Sequence, residues 1–157
     1  MSDDVLSHIP ALRLFARSLT GHYGDADDLV QDTLVRAIAS AASYTPGTNM
    51  RAWLFTIMRN RFYNDRVKLA RERPGAEDCV SGQPTTPDGQ YWHLRGRELE
   101  AALMNLPRPY REAVMLVLIT GESYQASADI LQVDIGTIKS RISRGRRLLQ
   151  AALGEEV

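Results

Sequence analysis

The chain has 157 residues, 19 of them basic and 19 acidic, and its 44% hydrophobic content is typical of one globular domain or two small ones. No apolar run approaches the ~18–20 residues that a transmembrane helix needs, and the acidic start differs from a basic signal peptide. The lone Cys79 excludes a disulfide framework, and the scattered His8, His22 and His93 argue against structural zinc. We therefore expect a cytoplasmic protein that has no bound metal.

The zero net charge conceals two runs of opposite sign. The segment from Asp25 to Asp32 holds four acids and no base, whereas the segment from Ile135 to Gln150 holds five bases and no acid. Either run alone is typical of a solvated helix face. Together they predict two different partners, and the basic run indicates a partner that carries phosphates.

Helical periodicity dominates the first part of the chain. One amphipathic helix is predicted over residues 5–19, despite Pro10 near its start, and Gly21 and Gly24 are predicted to end it. Asp25 is then predicted to cap a second helix. The apolar stripe of this second helix comprises Leu29, Val30, Leu34, Ile38 and Ala42.

A turn is predicted at residues 44–48, followed by a third helix over about residues 49–69. Between Pro74 and Gly89 the chain has three prolines, three glycines and few bulky apolar residues. This composition favours a flexible linker over an ordinary surface loop.

The remainder of the chain predicts a second group of helices. Pro107, Pro109 and Gly121 mark the breaks, and no alternating pattern indicates a strand. The predicted helices cover residues 92–106, 108–120, 123–131 and 135–153. The sequence therefore predicts an all-α fold of two small helical domains, residues 1–70 and 92–157, joined by a flexible linker over residues 71–91.

Residues 123–149 read as a short helix, a tight turn and a longer basic helix. Ser123 and Asp134 occupy the two N-cap positions, and Ala128 is small where two helices would cross closely. Gln132 lies in the turn, where glycine more easily adopts a left-handed conformation, and Ser127 places a hydroxyl where an apolar contact is expected.

The longer helix has two unlike faces. One face is apolar and comprises Ile135, Ile138, Ile142 and Leu149. The opposite face comprises Gly136, Ser140, Ser143, Arg144 and Arg147, with Lys139 at its flank. Such a helix fits the major groove of DNA, with its N-terminal residues at the base edges. The alternative is a bundle helix with a basic solvent face, which the preceding capped helix and turn disfavour.

The third helix mixes bases and amides with the aromatic residues Trp53, Phe55, Phe62 and Tyr63. One side of this helix is polar and comprises Thr56, Arg59, Asn60 and Tyr63, with Trp53 and Asn64 at its borders. Aromatic rings beside amides and arginines can hold unstacked bases, because rings stack, amides read base edges and arginines neutralise phosphate. The alternative is that these aromatic residues belong to the core.

Four strings give the chain a family resemblance. ADDLVQDTLVRA at 26–37 and PGTNMRAWLFTIMRNRF at 46–62 resemble region 2 of the extracytoplasmic-function (ECF) sigma factors, while NLPRPYREAVML at 105–116 and GTIKSRISRGRRLL at 136–149 resemble their region 4. HIPALRLFARSL at 8–19 resembles the EcfG-type general stress branch. The family has a bulky apolar residue at position 127 and glycine at position 132, so this chain departs from the family there.

The resemblance implies a role for each part of the chain. Region 2 would dock on the β′ clamp helices of core RNA polymerase through Asp28, Gln31 and Asp32. Asn60 would help to capture an extruded −10 base, with the loop of residues 45–49 forming the rest of the pocket. The implied −10 set is Trp53, Thr56, Asn60, Asn64 and Asn49. The implied −35 set is Lys139, Ser140, Ser143 and Arg144 at base edges, with Arg141, Arg146 and Arg147 at phosphates.

The resemblance also implies partners and a function. The partners are core polymerase, promoter DNA and a NepR-like anti-sigma factor; no membrane contact and no cofactor are expected, and the free chain should be a monomer. The function is promoter-specific transcription initiation, expected at stress genes, with no catalytic centre. One alternative is a sigma-like decoy that binds an anti-sigma factor without directing initiation. Another is a stand-alone helix-turn-helix regulator, which the long linker and unlike halves disfavour.

Overall fold

The computed structural model describes residues 2–21, 23–72 and 91–154. The chain divides into two compact units, Met1–Pro84 and Thr85–Val157. The described residues contain helices, turns and loops and no strand, so the all-α, two-domain prediction is confirmed. Most of the predicted linker lies outside the described residues, and the limits 1–70, 71–91 and 92–157 therefore stay predictions.

Helices α1 (Ser2–Ser7) and α2 (Ile9–Thr20) replace the single first helix that the sequence predicted. His8 separates them, and Pro10 lies in the first turn of α2. Proline fits a first turn because its missing N–H would have no partner there, whereas inside a longer helix it removes a hydrogen bond. Gly21 ends α2 in the left-handed region at φ 78°, as predicted.

Helix α3 (Tyr23–Ala39) begins earlier than predicted. Gly24 lies within its first turn, and Asp25 is an acidic residue of that turn instead of the N-cap. The prediction of a cap at Asp25 is therefore wrong. A carboxylate in the first turn still interacts favourably with the positive end of the helix dipole.

Helix α4 (Met50–Glu72) follows a 3₁₀ turn at Ala41–Ser43 and completes the first unit. Helix α2 packs against both α3 and α4. The core between them contains the fully buried side chains of Leu12, Phe15, Leu54, Phe55 and Met58. The Phe15 and Phe55 rings meet edge to face, with centroids 5.0 Å apart. Each of these large side chains contributes about 1.5–3 kcal/mol through burial.

The buried face of α3 differs from the predicted stripe. It comprises Ala26, Leu29, Val30, Thr33 and Ala37. Thr33 is accommodated because its Oγ1 donates a hydrogen bond to the Leu29 carbonyl over 2.7 Å. Ile38, which the sequence placed on the apolar stripe, is 72% exposed, and Ala42 is also exposed, so the stripe prediction is wrong at its C-terminal end.

The second unit matches the predicted helices to within one or two residues. Its helices are α5 (Tyr91–Asn105), α6 (Arg108–Val114), α7 (Tyr124–Leu131) and α8 (Ile135–Leu153). A π-helical turn at Met115–Ile119, which the sequence did not predict, continues α6. A π-helix forms backbone hydrogen bonds between residues i and i−5, one residue further apart than in an α-helix. The bond from the Thr120 N–H to the Met115 carbonyl, 2.9 Å long, has this spacing.

Helix α8 packs against α5, α6 and α7 and organises the second unit. Ile138 of α8, together with Val114 and Leu116, is fully buried. Arg111 connects the first two helices of the unit, because its Nη2 donates to the carbonyls of Met104 and Leu106 over 3.0 Å each. These bonds satisfy acceptors at the C-terminus of α5 that the helix itself leaves unpaired.

Two further properties concern the described part of the chain. There, every helix is either too short or too polar to traverse a lipid bilayer. Within the same ranges, no three His, Cys, Asp or Glu side chains come together in a way that could hold a metal ion.

Candidate nucleic-acid interfaces and acidic docking face

The basic face of α8, defined as the solvent-exposed side of that helix, lies opposite its buried side. Ile138 is fully buried, and Ile142 and Leu149 are also buried, as predicted. Ile135 differs from the prediction, because it is 39% exposed at the N-terminus of the helix. The exposed residues of the basic face are Gly136, Lys139, Ser140, Ser143, Arg144 and Arg147. Arg141 is half-buried at the edge of this face.

The turn between α7 and α8 fixes the direction of the basic face. Ser123 caps α7, since its Oγ accepts a hydrogen bond from the Ala126 N–H over 2.9 Å, as predicted. Gln132 adopts the left-handed conformation at φ 57°. Asp134 occupies the N-cap position of α8 but makes no capping hydrogen bond through its side chain. The predicted N-cap position of Asp134 is therefore correct, although its side chain leaves the backbone N–H groups of the first turn uncapped.

Gly145 sets how closely α6 and α8 approach, and the sequence reasoning did not single it out. A Cβ at this position would lie 2.6 Å from the Val114 Cγ2 atom, which is closer than carbon atoms pack. The signal in the sequence was a glycine inside a helical pattern, which usually has a packing reason. Because Gly145 has no side chain, both Tyr110 and Val114 of α6 can lie close against α8.

An open groove runs between α6 and the basic face of α8. Its volume is about 540 Å³. One wall is formed by α6 and the residue before it, and the other by α8. The lining residues are Pro107, Pro109, Tyr110, Gly136, Thr137, Ser140, Arg141 and Arg144. Gly136 has no heavy atom within 4 Å of the position its Cβ would occupy, so the groove is open above it.

The polar stripe of α4, which we define as Asn49, Trp53, Thr56, Asn60 and Asn64, follows the helical repeat on the side away from the core. Asn60 and Asn64 are exposed, while Trp53 and Thr56 are half-buried. Asn49 caps the helix, because its Oδ1 accepts the Ala52 N–H over 3.0 Å. The structure therefore brings the predicted −10 residues onto one face.

The loop before α4 is held against this stripe. The Tyr44 ring lies 5.0 Å from the Trp53 ring, centroid to centroid. Its hydroxyl donates a hydrogen bond to the Thr48 carbonyl over 2.9 Å. Gly47 turns the loop with φ 85°, a conformation that favours glycine. The loop and Trp53 thus form one ordered surface beside Asn60.

The aromatic residues of α4 divide between core and surface. Phe55 is fully buried, so for this residue the core alternative is correct. Phe62 and Tyr63 are half-buried and meet edge to face at 5.2 Å. The Arg59 guanidinium lies 4.7 Å from the Tyr63 ring centroid. This contact keeps a cation beside the polar stripe.

The acidic face of α3, which we define as Asp28, Gln31, Asp32 and Val35, lies opposite the buried side of that helix. All four residues are exposed. Val35 is 65% exposed, and the neighbouring Ile38 extends the apolar part. The Asp32 carboxylate lies 3.6 Å from Arg61 Nε, which also contacts Asp65 at 3.2 Å. A face that combines carboxylates with exposed aliphatic groups is suited to a protein partner.

Two family models match the chain, one in each unit. The Sigma2 domain of PhyR matches residues 5–59, and Sigma-70, region 4 matches residues 96–149. The ECF RNA polymerase sigma factor EcfG of Rhodopseudomonas palustris is 46% identical over 98% of this chain and 84% of its own length. This chain belongs to the ECF family of RNA polymerase sigma factors.

Two solved structures of sigma factors share the fold. The sigma factor RpoE of Bartonella quintana, in complex with the anti-sigma factor NepR, superposes with a TM-score of 0.88 at 40% identity, over 99% of this chain and 98% of that one. CnrH, in complex with the cytosolic domain of CnrY, gives a TM-score of 0.72 at 29% identity, over 98% and 86%. The predicted family and its EcfG-like character are therefore confirmed. The individual roles of the site residues in this ECF factor stay predictions.

Proposed function

We propose that this ECF factor docks on core RNA polymerase through α3, holds a −10 base on α4 and reads the −35 element with α8. The observation that carries the proposal is that each helix presents a face of distinct chemistry opposite its buried side. One face is acidic and aliphatic, one combines amides with aromatic rings, and one is basic. Docking, base capture and groove reading require these three chemistries.

The basic face of α8 supports the −35 role. Lys139, Ser140, Ser143 and Arg144 are exposed on the N-terminal half of the helix, which is the part that reaches base edges in helix-turn-helix proteins. Gly136 leaves open space beside them, so the DNA backbone can approach closely. We assign Arg141, Arg146 and Arg147 to phosphates.

The polar stripe of α4 supports the −10 role. Asn60 is exposed on the same face as Trp53 and one turn from Asn64. Its amide offers both a donor and an acceptor for the edge of an extruded base. The loop of residues 45–49, held by Tyr44, would close the pocket.

The acidic face of α3 supports docking on the β′ clamp helices of core polymerase. Asp28, Gln31 and Asp32 supply polar contacts at the edge, and Val35 supplies apolar area at the centre. Interfaces of this kind take affinity from the apolar centre and orientation from the charges.

Regulation by a NepR-like anti-sigma factor fits the likeness to the RpoE sigma factor, which was solved in complex with NepR. We extend this to stress genes on the basis of the EcfG relative. We expect the chain to act in the cytoplasm, where RNA polymerase works, as a monomer when free and without catalytic activity or cofactor. The family it belongs to consists of transcription regulators.

The second candidate function is the decoy. The match of residues 5–59 to the Sigma2 domain of PhyR favours it. Against it, α4 and α8 both present exposed faces with the chemistry that we assign to −10 and −35 binding. The decoy would bind the anti-sigma factor tightly and support no transcription with core polymerase.

The experiment that tests the proposal separates docking from base capture. Asn60→Ala should lower promoter opening about tenfold or more, because it removes base contacts worth on the order of 1.4 kcal/mol or above, and should leave core binding unchanged. Asp28→Asn is the matched variant, since Asp28 avoids the Arg61 contact that Asp32 makes. It should weaken core binding by about 2- to 5-fold.

Excess core polymerase distinguishes the two variants. It should restore opening for Asp28→Asn and not for Asn60→Ala, as measured by permanganate reactivity of the −10 region and by fluorescence titration with core. Equal loss of core binding and opening in Asn60→Ala would count against base capture.

A further inference from the structure

We propose that Tyr110 is a positioning residue for Arg144 and thereby helps to set base preference in the −35 element. The proposal rests on the function proposed above, in which Arg144 reads a base. Tyr110 lies on α6, whereas the helix that enters the major groove of DNA in the proposed function is α8. The Nη1 group of Arg144 donates a hydrogen bond to the Tyr110 hydroxyl over 3.4 Å, and this bond joins residues 34 positions apart.

The backbone packing around Gly145 anchors Tyr110. The Cβ of Tyr110 lies 3.6 Å, and its carbonyl oxygen 3.7 Å, from the point where a Cβ on Gly145 would stand. Gly145 directly follows Arg144, so the root of the tyrosine is held beside the root of the arginine. The ring is half-buried, whereas the arginine is exposed. A fixed acceptor therefore meets a side chain that would otherwise sample many rotamers.

The chemistry of the contact suits base readout. A guanidinium has five N–H donors, and one bond to a hydroxyl leaves Nε and Nη2 for the paired acceptors of guanine. A hydroxyl carries no charge, so it orients the arginine without competing strongly with DNA for the guanidinium group, as a carboxylate would. Both residues line the open groove between α6 and α8, on the side that the proposed function assigns to DNA. Orienting the donors before binding lowers the ordering cost on DNA.

The test measures base preference separately from affinity. Holoenzyme made with the full chain is mixed with a pool of DNA duplexes that carry a randomised upstream segment, and the bound fraction is sequenced. The variants are Tyr110→Phe, Arg144→Ala and the double variant. Tyr124→Phe is the matched control. It removes a tyrosine hydroxyl from the same unit, at a residue that does not line the open groove between α6 and α8.

Arg144→Ala should abolish the preference at one or two adjacent positions. Tyr110→Phe should weaken the preference at those same positions by about 3- to 10-fold, the range expected for one hydrogen bond, and leave the others and the thermal midpoint unchanged. The double variant should match Arg144→Ala alone, since the tyrosine acts through the arginine. Tyr124→Phe should keep the wild-type preferences.

Three different results would overturn the proposal. If Arg144→Ala loses the preference while Tyr110→Phe keeps it, Tyr110 has no positioning role and the function assigned to Arg144 stands. If Arg144→Ala keeps every preference, the base-reading assignment fails and the role of Tyr110 fails with it. An equal loss at all positions with a lowered thermal midpoint would identify Tyr110 as a packing residue only.

Discussion

At the scale of single residues, Ser127 and Gln132 each carry a local energetic cost within the helix-turn-helix. Ser127 is fully buried, and its hydroxyl oxygen has no hydrogen-bond partner. Gln132 adopts φ 57° without the freedom of glycine. A non-glycine residue in this conformation costs about 1–2 kcal/mol, and a buried unsatisfied hydroxyl costs about 1–3 kcal/mol. Both positions are those at which the sequence departs from the family pattern.

Ser127→Ala should therefore stabilise the second unit. We expect the free energy of unfolding to rise by about 1–2 kcal/mol, because the substitution removes an unsatisfied hydroxyl and improves helix propensity. Denaturant unfolding, followed separately for each unit by NMR, measures the change. Ser140→Ala, at an exposed position of α8, should change it by less than about 0.5 kcal/mol. A loss of stability in Ser127→Ala would show that the hydroxyl has a partner after all.

At the scale of secondary structure, the crossing of α6 and α8 holds the basic face in place. Gly145 permits the close approach to Val114, and a side chain there would have to displace a fully buried, β-branched residue. Branched side chains inside helices have little rotamer freedom with which to move aside. The crossing is therefore intolerant of even one added methyl group.

Gly145→Ala and Gly136→Ala make the same chemical change on the same helix with opposite expected signs. Gly145→Ala should destabilise the second unit by about 1–3 kcal/mol through overpacking. Gly136→Ala should stabilise it by about 0.4–1 kcal/mol, because nothing lies within 4 Å of the added methyl and alanine restricts the unfolded chain. Parallel denaturation curves give both values. Similar effects from the two variants would contradict the tight crossing.

The helices of the second unit could be predicted from the sequence because proline, glycine and serine mark their ends. The π-helical turn at Met115–Ile119 could not, since the apolar residues there continue the helical pattern without interruption. In the first unit, periodicity joined α1 and α2 across His8, although Pro10 supplied the start signal for α2. In the second unit, the boundaries were predictable because proline, glycine or a capping residue lies between successive helices.

The buried face of α3 shows a second limit of sequence reasoning. Val35 and Ile38 are as apolar as Leu29 and Val30, yet the first two are exposed. A helix that buries one side in its own core and offers apolar groups to a partner has a blurred periodicity. Apart from the exposed Ile135, the faces of α4 and α8 were predicted correctly, because their outer sides are polar or basic.

At the scale of the whole molecule, two helical units carry three faces of different chemistry. The first unit holds the acidic face of α3 and the polar stripe of α4, and the second holds the basic face of α8. The similarity to EcfG and to the RpoE sigma factor extends over nearly the whole chain and covers both units. The proposed function assigns polymerase docking and the recognition of two promoter elements to these three faces.

In vitro transcription with core RNA polymerase tests this account most directly. The full chain and core are incubated with a library of genomic fragments from the organism that encodes it, and the 5′ ends of the transcripts are mapped. The account predicts discrete start sites that share two upstream elements, and their loss in Asn60→Ala. Core binding without any start site would contradict the account and favour the decoy that only sequesters an anti-sigma factor.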